Sequence, residues 1–349
     1  MYGRADRLLH RIALGFAPVL EATFDIERAA WRRRAAAVPI DRPVFIAGLA
    51  RAGTSILTRL LHQSGGFASA SYRDMPFPLA PNSWARLGGK RHVEATERGH
   101  GDGLLHDLDS PEAIEEVFWR AREGERYLHA DRLEPAAPLP ETMTAFADYV
   151  RLVLLRHGGR RYLSKNNNNV LRLGALAAAF PDALILHPFR DPLQQALSLR
   201  NQHVRACALA AEDPFRRRFM TWLGHHEFGA DQRPFAFPGA PEPDADRDAL
   251  DYWLTTWIAV HAALLDQPAA VQARQGFVDY DALCAGGREA GQRLGELLGI
   301  PLRLDTLRPA PPREGEADPC LLARASELHA RLRVAASARA APSSPPAPH

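Results

Sequence analysis

An α/β fold, with a central, mostly parallel sheet and helices on both faces, is predicted by three observations. Val44-Phe45-Ile46-Ala47 and Ala183-Leu184-Ile185-Leu186-His187 are apolar runs of strand length without polar alternation, which marks strands covered on both sides. Helical patterns separate them, and strands alternating with helices pair in parallel through crossovers. The first strand runs through Gly48 to Gly53 into Thr54-Ser55, a P-loop-like phosphate loop opening a helix. In such sheets ligands sit beyond the carboxyl ends of the strands.

The 349 residues and 46% hydrophobic content allow a sizeable core. We expect a helical extension over 1–38, a main domain over 39–335 and a low-complexity tail over 336–349. A net charge of +2 argues against a nucleic-acid partner. The runs Arg32-Arg33-Arg34 and Arg216-Arg217-Arg218 read as solvated helix faces. Cys207, Cys284 and Cys320 lack metal-ligand spacing and fit a reducing compartment. Arg11 and His10 interrupt the apolar positions near the start, and no other run is long enough to span a bilayer, so a cytoplasmic protein without a transmembrane segment is expected.

Element by element, Leu8, Leu9, Ile12, Ala13 and Phe16 make a helical stripe, a candidate homo-oligomer contact. After the loop, a helix ends near Gly65-Gly66, and 67–103 reads as a binding loop. Ser110-Pro111-Glu112 starts a helix, Thr142 to His157 forms another, and Arg161 to Ser164 a short strand. An Ala/Leu helix to Phe180 precedes the second buried strand, and Asp191-Pro192 caps the next helix. Met220 to Phe228 reads as helix and Gly229 to Asp248 as loop, followed by a helix over Tyr252 to Leu265. Gly276 to Val278 suggests a strand, Glu289 to Leu298 a helix, and Asp318-Pro319 opens a last helix to about Ala335.

The glycine-bounded loop carries the first chemistry. Backbone N–H groups at a helix start face an anion, and glycines let its oxygens approach the main chain. The lysine of a nucleotide P-loop is replaced by Thr54, and a cation stands inside the loop as Arg51. Arg51-Ala52-Gly53-Thr54-Ser55 resembles the 5′-phosphosulfate loop of the sulfotransferases, departing from it at Ala52. A second segment resembles their 3′-phosphate motif: an apolar strand, then Arg190-Asp191-Pro192, then Ser198. Tyr280-Asp281-Ala282-Leu283 is similar to the family's Tyr-Glu-Asp-Leu segment, whose tyrosine lies near the adenine. Tyr162-Leu163-Ser164-Lys165-Asn166 is similar to its Glu-Lys-Thr-Pro segment; Lys165 and Lys90 are the only lysines of the chain. The glycine-rich C-terminal segment of the family has only a poor counterpart in Arg313-Glu314-Gly315.

The resemblance covers about Pro43 to Leu298 and implies a donor, 3′-phosphoadenosine 5′-phosphosulfate (PAPS), with adenosine 3′,5′-bisphosphate as product. It implies that Arg51 and Lys165 stabilise charge at the 5′-phosphate, that Ala52 to Ser55 hold the same end, and that Arg190 and Ser198 anchor the 3′-phosphate. The sulfate acceptor would be a hydroxyl of a carbohydrate, lipid-linked or small molecule. An acidic residue some twenty positions after the loop cation serves as base in many relatives, and Asp74 is the carboxylate in that neighbourhood; His106 and His203 are alternatives. His225-His226-Glu227 reads as a helix-surface cluster, since adjacent histidines diverge and no third ligand is spaced for zinc. Glu115-Glu116 and Trp119, Trp222, Trp253 and Trp257 are candidates for an acceptor pocket, with core packing the plainer role of the tryptophans. A P-loop nucleotide kinase or NTPase, and a catalytically inactive nucleotide-binding protein, stay open beside the transferase.

Overall fold

The structure, a computed structural model, describes residues 3–87, 113–159, 161–304 and 307–338, with the backbone of 96–97 and 105–106. In chain order the strands are β1 (Val44–Ile46), β2 (Phe67–Ala68), β3 (Thr96–Glu97), β4 (Leu105–His106), β5 (Arg161–Lys165), β6 (Leu184–Phe189) and β7 (Gln275–Asp279). β3 and β4 pair with each other, antiparallel; the remaining five form one sheet in the order β2-β5-β1-β6-β7, every pairing parallel. β1 lies between β5 and β6, with Ile46 opposite Lys165 on one side and Leu186 on the other.

Strand side chains alternate between faces, and each face has its own helices. Val44, Ile46, Leu163, Leu184 and Leu186 pack with Leu57 and Leu61 of α3 (Thr54–Gln63, following α1, Arg4–Gly15, and α2, Ala17–Ala36). Phe45, Tyr162, Ile185 and Phe189 face the opposite way, into a larger core that includes Phe118, Phe146 and Tyr149. Phe45 lies 5.6 Å from Phe180 and 5.9 Å from Tyr162 between ring centroids. Burying each such ring stabilises by about 1.5–3 kcal/mol. The larger core is completed by α4 (Pro81–Leu87), α5 (Glu116–Tyr127), α6 (Pro140–His157) and α7 (Leu173–Ala179). Further along run α8 (Pro192–Glu212), α9 (Pro214–Trp222), α10 (Leu250–Leu265), α11 (Ala269–Gln272), α12 (Tyr280–Cys284), α13 (Arg288–Leu298) and α14 (Pro319–Ser337).

The N-terminal helices share that core through Leu14, Leu20, Phe24 and Trp31. Glu27 of α2, fully buried, accepts from the backbone N–H groups of Asn82 (2.8 Å) and Ser83 (3.1 Å), satisfying the first turn of α4. Leu8, Ile12 and Phe16 remain exposed.

Two readings are corrected. The helix expected over Met220 to Phe228 ends at Trp222, because Gly224 takes φ +78 and its Cα packs where a Cβ would stand 2.4 Å from Glu116 Cγ. Within the loop expected over 67–103, β2 and α4 are regular structure. The helix start at Ser110, Lys90 and the side chain of His106 lie outside the described residues. No described helix is long and apolar enough to cross a membrane.

Candidate functional site

The loop from Gly48 to Gly53 leaves the carboxyl end of β1, and two of its residues turn left-handed: Arg51 at φ +67 and Gly53 at φ +80. Gly53 caps α3, whose first N–H groups have no intrahelical acceptor. The loop is held from behind. Gln195 of α8, fully buried, donates to Ala50 O (2.9 Å) and Leu49 O (3.4 Å), while its Oε1 accepts from Trp257 Nε1 at 3.0 Å. His187 Nδ1 donates to Ala47 O at 2.6 Å, and Gln275 Nε2 donates to its other ring nitrogen at 3.0 Å. Burial lowers the His187 pKa to about 4, and the bond to Ala47 offsets only part of that. Neutral imidazole is therefore built into the strand end that carries the loop.

From distant parts of the chain, the predicted residues meet at this loop. Arg51 Nε donates to Ser198 Oγ at 3.1 Å, joining positions 147 residues apart. Arg190, at the end of β6, donates through Nε to Asp281 Oδ1 (2.9 Å), and Asp281 Oδ2 accepts from the Asp191 N–H (2.7 Å). The Arg190 guanidinium lies 5.9 Å from the centroid of Tyr280. Tyr280 covers Gly53 so closely that a Cβ there would meet ring carbons at 2.3–2.6 Å. Burial first, then Cys284, pushes the Tyr280 phenol above its usual range, so it stays neutral. Ala52 and Thr54 are buried beneath the loop, and Ser55 is half-buried in the first turn of α3.

Lys165 ends β5 beside β1, and the four asparagines after it form a buried 3₁₀ turn, Asn167–Leu171, capped by Asn166. That turn is anchored in an acidic network absent from any sequence pattern. Glu115 accepts from Tyr162 OH (2.8 Å), Asn169 Nδ2 (2.8 Å) and Trp119 Nε1 (3.0 Å). Glu116 pairs with the buried Arg172 at 2.9 and 3.1 Å and accepts from Asn166 Nδ2 (2.7 Å) and Tyr127 OH. Asn167 Nδ2 donates to Glu227 Oε1 at 2.7 Å, and Asn168 Nδ2 to Gly224 O at 3.1 Å. The segment 223–229 is thereby fastened to the end of β5.

Within it, Glu227 Oε2 stands 3.4 Å from His225 Nδ1. Burial raises the Glu227 pKa, but His225 and then Lys165 outweigh it and bring it to about 2. This trio is not the helix-surface cluster expected: Glu227 and His226 are buried, and His226 Nδ1 bonds Asp231 O at 2.9 Å. The available signal was a histidine-flanked acid between Gly224 and Gly229.

Asp74 is not brought to the group. Its buried carboxylate accepts from the Ser71 N–H (2.9 Å) and from His157 Nε2 (2.9 Å), with Arg156 at 3.8 Å. His157 ends α6, four positions before β5 begins. These contacts pin the β2 exit to α6. His203 is equally committed, accepting from Gly229 N–H at 3.1 Å and packing on Trp253. Trp119, Trp253 and Trp257 are core residues, and Trp222 packs on Gly15. The three cysteines are free thiols.

Fold and site together define an α/β protein with a glycine-bounded loop at the carboxyl edge of a parallel sheet, faced by arginines from two elements. The sequence profile of the sulfotransferase family matches residues 43–304, and the chain belongs to that family. It is a transferase of sulfuryl groups. No curated protein matches the sequence. Among solved structures the chain is similar to sulfotransferase STF1 from Mycobacterium tuberculosis H37Rv, at 18% identity and a TM-score of 0.46 over 85% of this chain and 76% of that one. It is similar to STF9 from Mycobacterium avium, at 18% identity and a TM-score of 0.42 over 87% and 72% of the chains. A sulfotransferase from Alicyclobacillus acidocaldarius matches at 18% identity and a TM-score of 0.42, over 86% and 98%.

Proposed function

We propose that the chain transfers a sulfuryl group from PAPS to a hydroxyl of a carbohydrate, lipid-linked or small-molecule acceptor, by in-line displacement. The observation that carries this reading is the 3.1 Å bond between Arg51 and Ser198, which joins the two segments that resemble the family's 5′- and 3′-phosphate motifs. Supporting it, Tyr280, the tyrosine that the resemblance sets near the adenine, packs over Gly53 of the glycine-bounded loop, beside the free N–H groups at the start of α3.

When bound, PAPS supplies the sulfuryl group. N–H groups at the start of α3 and the Arg51 guanidinium hold its 5′ end and neutralise charge that grows on the phosphate side. Lys165, from the adjacent strand, adds a second cation on that side. Arg190 and Ser198 hold the 3′-phosphate, and Tyr280 packs at the adenine. Positioning of both oxygens in line with sulfur supplies much of the rate.

Calorimetry tests the donor: adenosine 3′,5′-bisphosphate against ADP, without magnesium, with Arg190→Ala beside wild type. Micromolar preference for the bisphosphate, lost in the variant, is expected. Equal or tighter ADP binding, unaffected by the substitution, overturns the reading.

A further inference from the structure

We propose that His225 takes the proton from the acceptor hydroxyl and that Glu227 is its positioning residue, an assignment that rests on the sulfuryl-transfer reading above. The placement comes first. Asn167, two residues beyond Lys165, holds Glu227 at 2.7 Å, and β5 borders β1, so this segment occupies the same edge of the sheet as the glycine-bounded loop. Lys165 contributes to keeping Glu227 ionised, which puts the resemblance-implied lysine and this pair in one electrostatic neighbourhood.

The chemistry follows from the geometry. The Glu227 side chain is 5% exposed and its Oε2 has no hydrogen-bond partner, yet it faces His225 Nδ1 at 3.4 Å. A buried, ionised carboxylate in that position holds the imidazole proton on Nδ1 and leaves the Nε2 lone pair to receive another. The His225 side chain, 19% exposed, reaches out from its buried partner, whereas His226 is sealed against Asp231 O. A base oriented by a second group, itself fixed by a third, is the arrangement that proton abstraction requires, and such contacts tighten when substrate binds. Here the third group is Asn167.

In the step, the acceptor oxygen forms a bond to sulfur while the bond from sulfur to the 5′-phosphate oxygen breaks. That electron pair leaves with adenosine 3′,5′-bisphosphate, and the hydroxyl proton passes to His225 Nε2. Water can stand in for the acceptor, giving sulfate and the bisphosphate, so slow donor hydrolysis reports the base without an identified acceptor.

The experiment measures hydrolysis of PAPS and calorimetric binding of adenosine 3′,5′-bisphosphate for wild type, His225→Ala, His225→Gln, Glu227→Gln and the double variant His225→Ala/Glu227→Gln. Bisphosphate binding is expected to be unchanged in all five, which also reports folding. Hydrolysis is expected to fall about 100-fold in both His225 variants. Added imidazole restores part of the rate in His225→Ala, where the ring has left a space, and none in His225→Gln. Glu227→Gln lowers the rate by itself but has no further effect in the His225→Ala background. Wild-type hydrolysis in His225→Ala with binding intact overturns the assignment and leaves the transferase reading standing. Bound nucleotide with no hydrolysis above buffer in wild type also overturns it. Failure of wild type to bind the bisphosphate overturns the underlying reading instead.

Discussion

The ring of Tyr280 occupies the space that a side chain at Gly53 would need, 2.3 Å from the ideal Cβ position. One end of β7 thus roofs the loop that leaves β1, and the left-handed φ of Gly53 makes the position doubly selective for glycine.

Gly53→Ala is therefore expected to lower the melting temperature and weaken bisphosphate binding at least about tenfold, since the left-handed penalty is roughly 1–2 kcal/mol before any clash. In a Tyr280→Ala background the same substitution should cost less, because only the backbone penalty remains. Denaturant melts of the four proteins measure that coupling.

Ser198→Ala removes one hydrogen-bond partner of the Arg51 guanidinium. A hydrogen bond to a charged group is worth about 1.5–3 kcal/mol. Bisphosphate affinity should drop about tenfold or more, and the unfolding midpoint should fall as well, because the bond is made within the unliganded chain.

Asp74→Asn separates a structural carboxylate from a reacting one. Loss of the His157 and Arg156 pairing is expected to lower stability, while donor hydrolysis at saturating nucleotide stays within about threefold of wild type; a catalytic base would lose 100-fold or more. Thermal melts and the hydrolysis assay read the two effects independently.

The Glu116–Arg172 pair is buried on both sides, so removing one partner strands the other charge. Arg172→Met is expected to destabilise by about 3–5 kcal/mol, and adding Glu116→Gln should recover part of it. Urea unfolding tests both.

His187 gives a pH signature. Its folded pKa, about 4, lies below the unfolded value of about 6.5, so the unfolded chain binds the proton more readily between them. Its neutral form supports the fold fully above about pH 6.5, and that support is lost as pH falls toward 4. The stability of wild type relative to His187→Gln should shrink by up to about 3 kcal/mol across that window, measured by denaturant midpoints.

The parts of this site that were legible in the sequence are those written within a few positions of a strand end. Arg51, Gly53, Arg190 and Ser198 sit in local strand-loop-helix signals, and the same signals define the buried strands and hence the α/β fold. The spacing of Asp74 from Arg51 carries no information about direction, and its tie to His157, 83 positions away, leaves no trace in the local pattern. The Glu115–Glu116–Arg172 network joins residues over 50 positions apart, and polar pairs at such range leave no periodic trace. His225 and Glu227 were hidden by a helical pattern that Gly224 breaks only because Glu116 fills the space beside it.

Strand order has a temporal consequence. Arg51 and Ser198 are synthesised long before β7, which must add at the edge of β6 before Tyr280 and Asp281 can reach Gly53 and Arg190. The arrangement around the glycine-bounded loop is thus complete only after β7 docks, so a ligand that contacts both halves stabilises the finished chain alone. At a hundredfold excess over its dissociation constant, it would hold that state by about 2.7 kcal/mol.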